Sequence, residues 1–349
     1  MKTKLILPLA ALLAAAILLG GCATGMTPSS WPGMTVSEEY VYIAGGTNVY
    51  AVNLQTYAEA WRFPIKANAF AAPVLTKDGQ LIVGGYDHVL YSLDPATGTE
   101  NWSFTARDRW IGSVLVTDDT IYAPNADYNL YALDLNGQPK WEKPFEADQS
   151  IWGTPVTDGQ NVYFGTLGRW MFAVSAQSGE EVWRTQLNGA ILGAPVLHNG
   201  VLYVGLFDSA LVALDAQTGD LLWQAPLESW VWAGPVLAND VLYFGDGAGN
   251  FYAYSLDGNL LWKQPLRGAI VGQPAVTAEG LVVATDSGTI YYLSFDGEVL
   301  RTTAVAGAVY SSVVPAGSVF LVAPSEGESL LLALDQNGVQ VWTFNPAKK

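Results

Sequence analysis

Two histidines, a single cysteine and a few adjacent acidic pairs are the side chains here with the widest chemical range. His88 and His198 fall in hairpin turns of units three apart. A shared metal or a base–nucleophile pair would require them to converge; two solvated turn residues is the plainer reading. Glu38-Glu39, Asp118-Asp119 and Glu180-Glu181 occupy turns or strand ends. That placement suits a solvated surface better than a carboxylate dyad for glycoside hydrolysis, although carboxylates of different units could still meet on one face. The Asp-Gly turns lack the alternating oxygen ligands of a calcium loop, and no phosphate-cradling glycine loop occurs. With Cys22 alone, neither a disulfide nor a multi-cysteine metal site within the chain is possible. The expectation is therefore no catalytic residue, no metal and no cofactor.

The elements that would have to position any site are short strands. Residues 191–223 show the unit in its most regular form. Pro195-Val196-Leu197 is closed by Asn199-Gly200, Val201–Val204 by Phe207-Asp208-Ser209, and Leu211–Asp215 by Gln217-Thr218-Gly219, before Leu221-Leu222-Trp223. Four apolar runs with turn residues between them read as four antiparallel strands, and none is long enough for a helix.

A tryptophan four residues after a glycine marks the copies: Trp102, Trp141, Trp183, Trp223, Trp262 and Trp342. Trp61 follows Tyr57 where glycine is expected, and Gly297 precedes Arg301 where tryptophan is expected. Successive markers lie 39 to 42 residues apart, so eight units run from about Trp31 to Phe344. The glycines suit turns with positive φ, and the tryptophans should staple neighbouring units. The first strands share a small-small-Pro core, as in Gly193-Ala194-Pro195 and Ala233-Gly234-Pro235. Proline and tiny residues fit an innermost edge strand crowded toward an axis. An all-β, eight-bladed β-propeller of four-stranded antiparallel blades is predicted over residues 31–349, since a closed ring hides faces that an open stack would have to cap.

The third strand and turn, Ala213–Trp223, resemble the tryptophan-docking repeat of the PQQ-like (quinoprotein-type) propeller superfamily, with further copies in Ser92–Trp102 and Ala132–Trp141. The resemblance implies the fold over nearly the whole mature chain. Dehydrogenases of that superfamily hold PQQ beside a disulfide of adjacent cysteines, with calcium and an aspartate base, and several carry a haem. One cysteine and uniformly short connections leave no such disulfide, haem or roofed site here. Among exported relatives the chain resembles the BamB family of outer-membrane assembly lipoproteins better than it does those dehydrogenases. That likeness implies a cofactor-free, non-enzymatic scaffold for protein partners, with the β-barrel assembly machinery as the model. PQQ-like repeat lipoproteins without an assigned role fit about as well.

The amino terminus reads as a targeting device. Lys2 and Lys4 precede an apolar run from Leu5 to Leu18, and Leu19-Gly20-Gly21-Cys22 resembles a bacterial lipobox. Residues 1–21 are then a lipoprotein signal peptide, Cys22 the lipidation site, and residues 22–30 a tether. Such a protein is membrane-anchored after export: in the outer membrane facing the periplasm where the host has two membranes, otherwise on the outer face of the cell membrane. Removal of the signal leaves 14 basic residues against 32 acidic ones, a formal charge of −18. That charge disfavours nucleic acid as a partner. A monomeric propeller is expected.

Departures from the repeat carry what remains. Three residues before the proline slots stand Trp31, Phe70, Ile111, Trp152, Leu192, Trp232, Val271 and Tyr310, with Trp110 and Trp230 beside them. Arg169, Trp170 and Phe207 occupy loops between second and third strands. Propeller topology puts these loops and the starts of the first strands on one face. The candidate partner-binding face is thus Trp110, Trp152, Arg169, Trp170, Phe207, Trp230, Trp232 and Tyr310. The competing expectation is that the rings only plug the axial channel.

Overall fold

The computed structural model describes residues 31–325 and 327–347. The predicted signal peptide, lipidation site Cys22 and predicted tether lie outside the described residues. Thirty-two strands form eight sheets, each a four-stranded antiparallel meander made from one continuous segment. Blades 1 to 8 span residues 33–64, 74–105, 115–146, 156–186, 196–226, 236–265, 275–304 and 314–344. The chain is an eight-bladed β-propeller.

Burial follows position within the blade. Second and third strands are covered on both sides by neighbouring blades and are buried along almost their whole length, as in Val201–Leu206 and Ala210–Asp215. The outer strands alternate, as in Leu221–Pro226. Each blade interface holds its own cluster, for example Met171 and Ala173 of blade 4 against Leu202, Val204 and Leu214 of blade 5. At the axis the first strands approach backbone to backbone. A Cβ on Gly193 would lie 2.1 Å from the Gly234 nitrogen, and one on Gly234 would lie 1.7 Å from the Ala194 oxygen. This is the physical reason for the small-small-Pro repeat.

The tryptophans staple the ring between blades. Trp61, Trp102, Trp141, Trp183, Trp223 and Trp262 each donate an indole N–H at 2.9–3.1 Å to a carbonyl in the next blade's third-to-fourth-strand turn. The glycine of that next turn lies beneath the ring. Gly219 has φ +76°, and a Cβ there would stand 2.6 Å from the Trp183 ring. Glycine is therefore demanded twice, by backbone and by docking, and it serves the tryptophan of the preceding blade.

The two degenerate copies acquire meaning at the seam and beside it. Tyr57 replaces the receiving glycine of blade 1 with φ 59° and stacks on Trp342 of blade 8, centroids 4.9 Å apart. Met34, Ile43 and Val52 pack against Leu321, Ala333 and Phe344, so side chains close the ring without strand exchange. Arg301 fills the tryptophan slot of blade 7 less completely. It lies over Tyr292 and bonds Asn337, but its buried Nε has no partner. A cavity of about 120 Å³ adjoins it, lined in part by Leu300, Phe320 and Gln336.

Candidate functional site

Successive turns alternate between the two ends of an antiparallel meander. Connections between blades, together with the loops between second and third strands, therefore share one face, here called the mouth. The remaining turns share the opposite face. Backbone bonds clasp the mouth together: Phe207 N–H to Ala190 O at 2.9 Å, Gly247 N–H to Trp230 O at 2.9 Å, and Tyr86 N–H to Asn68 O at 2.8 Å. Each joins an inter-blade connection to the loop of the following blade.

This clasp places the aromatic residues. Trp31 stacks on Tyr310 at 5.2 Å and meets Trp232 edge-on at 5.1 Å. Trp152 lies 6.3 Å from Trp232. These four half-buried rings line an axial cavity of about 260 Å³, with the first strands as its walls. Phe207 and Trp230 extend the cluster outward. They stack on each other at 5.5 Å and meet Trp232 at 6.2 and 6.1 Å. Phe207 is 42% exposed. Six rings thus run continuously from the channel to solvent: the inner four plug and the outer two present a surface.

Three of the predicted face residues stand apart from this cluster. Trp110 is fully buried, sealed under Gly84 between blades 2 and 3. It is in phase with Ile151, Ile191, Val231, Ile270 and Val309, the buried slot of each connection, one residue before the mouth slot. A large ring in a core slot is the reason that adjacency in sequence misled. Arg169 is exposed, with φ 70° at its turn. Trp170 begins the third strand of blade 4, packs beside Phe172 and lies under the Arg184 guanidinium at 5.2 Å. Neither contacts the mouth cluster. Conversely, Tyr86 escaped the sequence reading. It meets Phe70 at 4.4 Å and lies under Arg109 at 5.2 Å. The signal was present, since Tyr86 occupies in blade 2 the loop position of Phe207 in blade 5.

Three carboxylates at the mouth are committed to structure. Asp87, Asp127 and Asp246 accept the hydroxyls of Tyr91, Tyr131 and Tyr252 at 2.6, 2.7 and 2.9 Å. Burial first, and then the adjacent carboxylate, holds each of these phenols protonated well above its usual range. Asp246 is fully buried, and its carboxylate also accepts from the Ala248 and Asn250 amides. His88 lies at the mouth of blade 2, whereas His198 ends the first strand of blade 5 at the opposite face, 3.7 Å from Asp240. The two histidines do not converge. The acidic pairs lie in turns or at a strand start on that opposite face, where Asp118 and Asp119 pair with Lys77 and Lys140. No group of three or more metal-ligating side chains occurs among the described residues. A rim cavity of about 860 Å³ opens where the outer strand of blade 3 shortens to Phe145–Glu146. Its lining mixes Arg107 and Lys143 with Asp127, Glu146 and Glu180 and assembles no reacting pair.

Fold and mouth together define the class: a PQQ-like β-propeller. A family model described as "Outer membrane protein assembly factor BamB" matches residues 23–151, 146–269, 207–294 and 256–348, and the chain belongs to that family. The structure is similar to that of BamB from Moraxella catarrhalis, with a TM-score of 0.72 and 18% identity over 89% of this chain and 96% of that one. It is equally similar in fold to the computationally designed Ika8 protein, with a TM-score of 0.74 and 18% identity over 90% and 97% of the two chains. By sequence, the serine/threonine-protein kinase AfsK of Streptomyces griseus is 29% identical over 205 residues. That match takes in 46% of this chain and spans 24% of the kinase's length.

Proposed function

We propose that this protein is a lipid-anchored, non-catalytic scaffold of the cell envelope that captures a protein partner on its mouth face. The observation that carries the reading is the continuous cluster from Trp152 and Trp232 through the half-buried Trp230 to the exposed Phe207. A monomeric propeller needs rings to fill its channel, but not a stacked pair beyond it. Aromatic anchors next to buried neighbours are the usual core of a protein interface. Membership of the BamB family supports a role in outer-membrane protein assembly, with the β-barrel assembly machinery as the partner to test first. Lipid at Cys22 would attach the scaffold to the membrane, without any cofactor.

Co-purification from detergent-solubilised membranes tests the capture. Phe207→Ala with Trp230→Ala is expected to lose the partner with little change in melting temperature; retained capture would sink the reading. Trp152→Ala should lower the melting temperature as well, because that ring also fills the channel. Membrane fractionation of Cys22→Ser tests the anchor: a variant that partitions like the wild type removes the lipid from the proposal. A glycan or cell-wall ligand is the second reading. The buried, unpartnered Trp152 N–H favours it, since flat rings beside a free donor suit a sugar. Recovery of cell-wall fragments in place of a protein would select it.

A further inference from the structure

The face opposite the mouth carries a surface that the scaffold reading does not use. In blades 5 to 7 the outer strands begin with apolar pairs, Leu221-Leu222, Leu260-Leu261 and Val299-Leu300, and these six side chains are 40–53% exposed. Their pairing has a backbone cause. Residues of a regular strand alternate between faces, but each of these outer strands has a register shift, with Ala213 opposite Trp223 and Leu214 opposite Leu221, which leaves Leu222 as the extra residue. Blade 8 continues the pattern with Val341, 50% exposed beside its own register shift. The equivalent positions of blades 1 and 2 are Glu59-Ala60 and Glu100-Asn101, so the apolar pairs occupy one arc of the ring.

Charge on this arc is one-sided. Asp215, Asp257, Asp296 and Glu298 border the pairs in the turns before the outer strands. No Lys or Arg occurs in the turns of this face in blades 4 to 8. The two lysines of the face, Lys77 and Lys140, lie in blades 2 and 3 and are held by Asp118 and Asp119. On the outer strands themselves, Lys263 is engaged by Glu228 at 2.5 Å and Arg301 lies over Tyr292. Apolar pairs repeated from blade to blade, each beside uncompensated carboxylates, are complementary to a chain that presents apolar and cationic side chains at similar intervals.

We infer that the outer rim of blades 5 to 8, on the face away from the mouth, is a docking surface for a cationic amphipathic polypeptide segment. This surface is separate from the mouth and does not depend on it. The test uses the full-length protein in detergent and a fluorescent sixteen-residue peptide of alternating leucine and lysine, followed by anisotropy. A glutamate-for-lysine peptide serves as control. The combined variant Leu222→Gln, Leu261→Gln, Leu300→Gln and Val341→Gln keeps every charge and alters only exposed side chains. It is expected to bind the lysine peptide at least tenfold more weakly, while Ala60→Gln in blade 1 binds as the wild type does. Unchanged affinity in the combined variant would show attraction by charge alone and overturn the inference, as would equal binding of the glutamate peptide. Self-association of the wild type, abolished by the same variant in sedimentation, would assign the rim to a second copy and also overturn it. Leu261→Gln alone is the fallback if the combined variant does not fold, with a smaller weakening expected and unchanged affinity again counting against the rim.

Discussion

Gly219 and Gly200 separate two demands that both appear as glycine in the sequence. Both have positive φ, +76° and +77°, but a Cβ on Gly219 meets the Trp183 ring and the Thr185 hydroxyl, whereas one on Gly200 meets nothing within 4 Å. Gly200→Ala should cost about 1–2 kcal/mol, the strain of a left-handed alanine. Gly219→Ala should cost a further ~1–3 kcal/mol for overpacking under the indole. Denaturant unfolding of the two variants checks the difference, and equal losses would refute the docking argument. Asp94 supplies a pH dependence at the same scale. The Thr97 amide, with the Thr97 hydroxyl and the Ala96 amide, holds its carboxylate below the usual range. A depressed folded pKa contributes stability above the unfolded value near about 3.9, and that stability is lost as pH falls through the folded value. Asp94→Asn should therefore narrow the difference in melting temperature between pH 6 and pH 3, measured by thermal unfolding at both.

At the scale of the element, the weakest staple is the outer strand of blade 7. Six indoles dock on the next blade, but Arg301 leaves a buried Nε without a partner beside a 120 Å³ cavity lined in part by Gln336. Arg301→Trp places an indole where the cavity lies and restores a donor toward the turn of blade 8. A gain of about 0.5–2 kcal/mol is expected, as for other cavity-filling changes toward a repeat's own consensus. A lower melting temperature would mean that the Arg301–Tyr292 contact matters more than the missing ring. Blade 3 departs in the other direction. The longest marker spacing, 42 residues between Trp141 and Trp183, marks two added residues within the stretch 142–144, which interrupt the outer strand and leave only Phe145–Glu146 paired at its end. The spacing was legible in the sequence. Its consequence was not, because whether two residues extend a turn or break a strand depends on the neighbouring edge.

Over the whole molecule, an acidic chain of formal charge −16 concentrates its turn carboxylates on the face away from the mouth. Self-repulsion of this kind is screened by salt, with a Debye length near 10 Å at about 0.1 M. Raising sodium chloride from low to moderate concentration should therefore raise the melting temperature, and a fall would imply that attractive pairs dominate. The repeat itself determined the class, the blade count and the strand order, because each unit states its turns, its docking tryptophan and its small first strand in local residue types. It also separated routine blades from irregular ones. Tertiary structure alone decided three matters. Tyr57 meets Trp342 only when the two ends of the chain come together, so the closure of the ring is a long-range fact. Trp110 and Trp152 differ by one position relative to the connection, and that phase buries one and places the other at the mouth. The leucine pairs read in the sequence only as a fourth apolar run, and their exposure was decided in three dimensions, because burial of an outer strand depends on what lies beyond its free edge, and nothing in a local pattern encodes that.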